Sequence, residues 1–164
     1  RRSDIPLIFM TSFNILSAYG VDKFARDSKR AGVDGLIIPD LPVDAHGLIK
    51  KHGLDLIFLA APNSSPEHIR MIAKKSSGFI YAVSIAGITG ARTNLQMQAK
   101  DTIRKINKLT KTPVAIGFGI KTPTQAAAAV KFSAGVIVGS AIIDVINKKK
   151  NVGKFVSSLK KAIS

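Results

Sequence analysis

Residues 113–140 read PVAIGFGIKTPTQAAAAVKFSAGVIVGS, and this stretch decides the fold. The apolar run 114–116 has the length of a strand and stops at Gly117-Phe118-Gly119, where glycine lets backbone N–H groups approach a ligand closely. Thr122-Pro123-Thr124-Gln125 follows, with a threonine cap, proline at the first helical position and glutamine three residues after the cap, as in a capping box. A second strand over 135–138 ends at Gly139-Ser140, where another short helix opens. Two glycine-ended strands leading into helices place free amides at one end of a parallel sheet, and exposed helix N-termini favour an anion, phosphate above all. Tight strand-to-helix turns would also call for these glycines, so both readings stand.

Upstream, strand-like runs recur at 6–10 (PLIFM), 35–38, 56–60 and 79–83, with helical segments expected over about 21–31, 66–73 and 94–108 and a last amphipathic helix carrying Leu159 and Ile163. Ser65-Pro66-Glu67 reads as the start of the second of these helices, with serine as cap and proline at its first position. Continuous apolar strands that alternate with helices predict an α/β fold, a parallel sheet covered by helices. The loops after strands seven and eight commonly hold phosphate in (β/α)8 barrels, and the spacing of 113–140 fits that place. At 164 residues the chain reads as a single domain, short of the roughly 250 residues of a complete eightfold barrel.

Polar and glycine residues gather at the carboxyl ends of the strands, where barrel active sites lie: Asn14, Asp40, Asn63, Tyr81, Thr89, Gly90, Gly117, Gly119, Gly139 and Ser140. Asp40 follows the run 35–38 directly and stands between Pro39 and Pro42, so its carboxylate is placed either to exchange a proton with a substrate or to bond its own turn. Strand alternation leaves Tyr81 two directions, into the barrel or toward the helices. Residues 87–90 (GITG) read as a loop of the kind that closes over substrate, or as an idle one.

The chain has no cysteine, which excludes disulfides and thiolate chemistry. His46, His52 and His68 show no metal-ligand spacing and are expected at the surface, so no metal is expected. No apolar run reaches the roughly 18 residues of a membrane span, and the expectation is a soluble, cytoplasmic protein. The net charge of +15 invites a nucleic-acid reading. The lysines, however, are spread over the solvent faces of the expected helices, with one dense run at Lys148-Lys149-Lys150. Two tyrosines and no tryptophan leave little to stack on bases.

Taken together, the words AGVDGLIIPDLPVDA (31–45), FLAAPNSSPEHI (58–69), FIYAVSIAGITGAR (79–92), PVAIGFGIKTP (113–123) and VIVGSAI (136–142) resemble the tryptophan synthase alpha subunit family. They come in the family's order over nearly the whole chain. The resemblance implies strands three to eight of a TIM barrel and a carbon–carbon lyase that splits indole-3-glycerol phosphate into indole and glyceraldehyde 3-phosphate. It implies no cofactor in this subunit, and a beta-subunit partner that uses pyridoxal phosphate in an alpha2beta2 complex. Asp40 falls on the family's catalytic aspartate, Tyr81 on a tyrosine lining the pocket, Thr89 on the mobile loop and Phe118 on a wall of the indole pocket. Gly90, Gly117, Gly119, Gly139 and Ser140 match positions around the substrate phosphate.

Two departures accompany the match. The family's catalytic glutamate lies on the second strand, and this sequence begins just before what would be the third; Glu67, the only glutamate, starts a helix and does not replace it. Residues 11–15 (TSFNI) stand where the family has a tyrosine-rich run. The chain is therefore expected to be N-terminally incomplete, with two exposed strand edges. It is expected to have little lyase activity alone while keeping its phosphate site. The alternatives are another phosphate-binding barrel isomerase or synthase, and a basic α/β module that binds anions or nucleic acid.

Overall fold

The computed structural model describes residues 4–42, 45–83, 92–117 and 119–164, the side chains of 92–98 excepted. Its elements are β1 (Ile8–Met10), α1 (Phe13–Tyr19), α2 (Val21–Arg30), β2 (Gly35–Ile37), α3 (His46–Lys50), β3 (Asp55–Ile57), β4 (Leu59–Ala60), α4 (Pro66–Lys75), β5 (Ile80–Val83), α5 (Arg92–Asn107), β6 (Val114–Gly117), α6 (Pro123–Ala129), β7 (Gly135–Ile137), α7 (Ser140–Asn147) and α8 (Val152–Ile163). The strands pair in chain order and in parallel, β1-β2-β3 and then β4-β5-β6-β7. Parallel neighbours in sequence order require a helical crossover between each pair, which is the alternation the sequence shows.

The strand expected over 56–60 is divided at Phe58. Its first half, β3, pairs with β2, and its second half, β4, pairs with β5. The Phe58 carbonyl accepts from the Tyr81 amide at 3.0 Å, so pairing continues across the division. Strands of a barrel are staggered, so each neighbour overlaps a different portion of one strand.

Side chains alternate across this sheet. Leu36, Leu56, Ala60, Ile80, Ala82, Val114 and Ile116 face the helices and join one buried cluster with Leu16, Ile49, Ile72, Ile103, Ala126 and Leu159. The other face carries Leu59, Tyr81, Val83, Ala115 and Ile137, all partly buried. α8 packs on α6 and α7.

Three local expectations change. The segment after the first strand, where no helix is expected before residue 21, forms α1, whose Leu16 is fully buried; α1 meets α2 at Gly20, held at φ +91°. Thr122 does cap α6, its Oγ1 accepting from the Gln125 amide at 3.2 Å. The Gln125 side chain, however, accepts from the Lys121 amide at 2.8 Å, one residue before the cap, because its length carries the carbonyl past Thr122. Of the histidines expected at the surface, only His68 is exposed. His46 stacks on Phe58, and His52 lies against Asp22, Nε2 to Oδ1 at 2.8 Å. Among the described residues no group of three or more possible ligands could hold a metal ion, and no helix is long and apolar enough to cross a membrane.

β1 has one ladder partner among the described residues, β2, and Ile5, Leu7, Phe9 and Met10 beside it are exposed. An edge strand of this composition templates further pairing. The chain is expected to self-associate as its concentration rises, and the double variant Phe9→Lys/Met10→Lys to stay monomeric over the same range in sedimentation velocity.

Asp22 also receives Lys51 at 2.6 Å, and these two partners hold its carboxyl down at about 2. A carboxylate depressed in the folded state contributes stability above its unfolded value, near 4, and loses that contribution as pH falls through the folded one. Asp22→Asn is therefore expected to lower the urea midpoint at neutral pH, with the difference closing between about pH 4 and pH 2.

Candidate functional site

The carboxyl ends of the strands form one rim, and the parallel register sets which residues stand level there. Gly117 pairs with Ile137 at the ends of β6 and β7, and Gly119 and Gly139 each follow two residues further along the chain, beyond the paired stretch. Val83 pairs with Gly117 and Tyr81 with Ala115, which puts the tyrosine on the face away from the helices, one row below the rim. Of the two directions open to it, Tyr81 takes the inward one. Burial raises the proton affinity of its phenol, which stays neutral.

The three glycines answer to different constraints. A Cβ on Gly117 would lie 2.5 Å from Tyr81 Cε2 and 2.6 Å from its hydroxyl oxygen, so glycine there makes room for the ring. Gly119 has φ +65°, a left-handed conformation that side chains disfavour. Gly139 has neither reason: its φ is −115° and a Cβ would meet nothing within 4 Å. It caps α7, whose first residue is Ser140, exposed at the rim. The first amides of a helix have no partner within it, and Gly139 adds no side chain to cover them.

Asp40 is exposed in a turn closed by the Leu41 amide on the Ile38 carbonyl at 3.2 Å. Among the described residues its Oδ1 accepts from the Phe13 amide at 2.8 Å, across the boundary between β2 and β1. Sequence reading missed this bond, since a contact across 27 residues leaves no local pattern. Asn14 and Asn63 are both exposed at the same end of the strands. Thr89, Gly90 and Phe118, together with the loop 84–91, lie outside the described residues.

A cleft of about 270 Å³ opens at the opposite, amino end of β6, lined by Thr110, Thr112, Val114, Phe132 and Ser133 among others. Its hydroxyls are already engaged: Thr110 Oγ1 donates to Thr112 Oγ1 at 3.0 Å, and Ser133 Oγ donates to the Ala129 carbonyl at 2.9 Å. The carboxyl rim, with helix-start amides, a partly buried phenol and a carboxylate, is the better equipped end for binding and chemistry.

Residues 1–163 match the family model described as tryptophan synthase alpha chain. A tryptophan synthase alpha chain of Thermoanaerobacter sp. (strain X514) is 43% identical over 173 aligned positions, covering 99% of this chain and 66% of its own length. One from Methanosarcina mazei is 45% identical, covering 95% of this chain and 59% of its own length. Among solved structures, tryptophan synthase from M. tuberculosis in its aminoacrylate-bound form superposes with a TM-score of 0.84 at 32% identity, over 97% of this chain and 62% of that one. A mutant tryptophan synthase alpha-subunit from the hyperthermophile Pyrococcus furiosus gives 0.82 at 32% identity, over 99% and 66%. The chain thus spans just under two-thirds of the length of these relatives, as six staggered strands of an eight-stranded TIM barrel. Ordered match, level of identity and superposition agree, and the chain belongs to the tryptophan synthase alpha chain family.

Proposed function

We propose that this chain supplies the phosphate end and one wall of a site that cleaves indole-3-glycerol phosphate into indole and glyceraldehyde 3-phosphate, for tryptophan biosynthesis. The observation that carries the reading is the composition of the rim, where Tyr81 lies against Gly117 and Gly139, with nothing within 4 Å of a Cβ, opens α7. The substrate phosphate sits on the amides near Gly119, Gly139 and Ser140, where the helix dipole favours negative charge. Tyr81 bounds the pocket next to it and Phe118 forms part of the indole wall. Gly90 and Thr89 belong to the loop that closes over the ligand.

The proton-exchange role that the resemblance implies for Asp40 falls to Oδ2, the oxygen that does not hold Phe13. Carbon–carbon cleavage of this kind needs a second proton-transfer group. Glu67 does not serve: it sits in the first turn of α4 and pairs with Arg70 at 2.9 Å. This chain by itself therefore binds substrate-like phosphates and turns over little. Its partner in the complete reaction is a tryptophan synthase beta subunit, which carries the pyridoxal phosphate; this subunit needs no cofactor.

Calorimetry with indole-3-propanol phosphate, which cannot be cleaved, tests the reading. Saturable binding is expected, and an unaltered circular-dichroism spectrum with no heat of binding would sink it. Gly117→Ala is expected to weaken binding at least about ten-fold with a small loss of stability, because the added methyl displaces the far end of the Tyr81 side chain and leaves the backbone in place. Gly139→Asp, which puts a carboxylate on the proposed phosphate position, is expected to abolish binding while the thermal midpoint moves little, since the position faces open space.

A further inference from the structure

The positive charge of this chain is gathered in one part of it. Residues 102–164 hold twelve of the 25 lysines and arginines but one of the ten acidic residues, Asp144, so that eleven of the fifteen net positive charges fall in the last 63 residues. All twelve of these cations are exposed. Arg104 has a partner in Asp101 at 3.7 Å, which lies outside the section. α6 and α7 both pack on α8, and the same section carries Gly119, Gly139 and Ser140 at the rim.

Two groups of cations flank that rim in the chain. Lys121 is two residues past Gly119 and directly precedes Thr122, the cap of α6, so its Cα lies within about 7 Å of the Gly119 Cα. The run Lys148-Lys149-Lys150 closes α7, whose eight residues place it about 12 Å from the first amides of that helix. Two bonds fix the backbone of the run, Lys149 amide to the Ile146 carbonyl at 2.8 Å and Lys150 amide to the Val145 carbonyl at 2.9 Å. Lys149 has φ +53°, the left-handed position after a helix that glycine ordinarily fills. Cations at the carboxyl end of a helix offset its dipole, but that benefit needs no lysine at the strained position. The screening length is about 10 Å at 0.1 M salt and about 30 Å at 0.01 M, so charges this far from the first amides of α7 act on an approaching anion most strongly at low salt.

We propose that this basic section, with Lys121 and Lys148-Lys149-Lys150 foremost, steers anionic ligands to the rim and so sets how fast a phosphate-bearing indolyl ligand associates. A field of one sign raises the rate of encounter while leaving the contacts of the bound state alone. Asp144, four residues after Ser140 and four before Lys148, is the one opposing charge of the section. This rests on the reading of that rim as the phosphate end, and it gives the charge excess a role that requires no stacking on bases.

The test is stopped-flow binding of indole-3-propanol phosphate, followed by its indole fluorescence, with uncharged indole as control. Lowering the salt from about 0.15 M to about 0.01 M is expected to speed association of the phosphate roughly ten-fold, with dissociation and the rates for indole little changed. The triple variant Lys148→Gln/Lys149→Gln/Lys150→Gln is expected to slow association at low salt by roughly three- to ten-fold and to flatten its salt dependence, while Asp144→Asn speeds it. Lys149→Gly, which suits the left-handed position better, is expected to slow association while the thermal midpoint holds, an effect that a merely structural lysine would not show. Association that ignores salt, or a triple variant that acts through dissociation alone, overturns the proposal. Paramagnetic relaxation of the amides of residues 139–141 by anionic against cationic nitroxides reads the field without a ligand. Stronger relaxation by the anionic probe, reduced in the triple variant, is expected, and equal relaxation by both probes overturns steering. If wild type binds no phosphate ligand while that contrast holds, the reading of the rim fails and the field stands.

Discussion

The described strands of this chain all run in the same direction with neighbours in sequence order, and that pairing governs what else the structure can do. Parallel pairing gathers every carboxyl end at one rim, and strict alternation sends each side chain either to the helices or to the opposite face. Ile80 and Ala82 are buried against the helices for this reason, and Tyr81 between them has only the inner face left. The stagger between strands adds a second condition: the run 55–60 meets β2 with its first half and β5 with its second, joined through the Phe58 carbonyl. A flat sheet would have paired the whole run with both neighbours.

The rim shows how one residue type serves several physical ends. Gly117 is a space for an aromatic ring, Gly119 a backbone conformation, and Gly139 an opening with no steric occupant. Gly139 stands at the start of α7 as its N-cap. The first amides of that helix lack partners within it.

Electrostatics enters the architecture through a few defined bonds, although the net charge is +15. Asp34 and Asp40 direct their negative charge to backbone amides at the two ends of one strand pair. Asp22 gathers Lys51 and His52 at the foot of α3, where Lys29 also reaches the Gly53 carbonyl at 2.9 Å. With so few carboxylates, most lysines stay in solvent, and Lys148, Lys149 and Lys150 are all exposed.

Much of this was legible beforehand, and the division follows the range of the interactions. Apolar runs, proline and serine at the start of α4, and Thr122 before α6 are local signals, and the elements they announce are present, because caps and periodicity act within a few residues. The same signals passed over α1, whose segment precedes the first expected helix and whose first amide bonds Asp40 at the end of another strand. The sequence by itself determined the order of the strands, most of the helices between them though neither α1 nor α3, the glycine-ended carboxyl rim and, through words spread along the chain, the family. Only the tertiary structure decided that Tyr81 turns inward over Gly117 and that Asp40 bonds Phe13. Those facts depend on register between strands far apart in the chain, which no local pattern encodes.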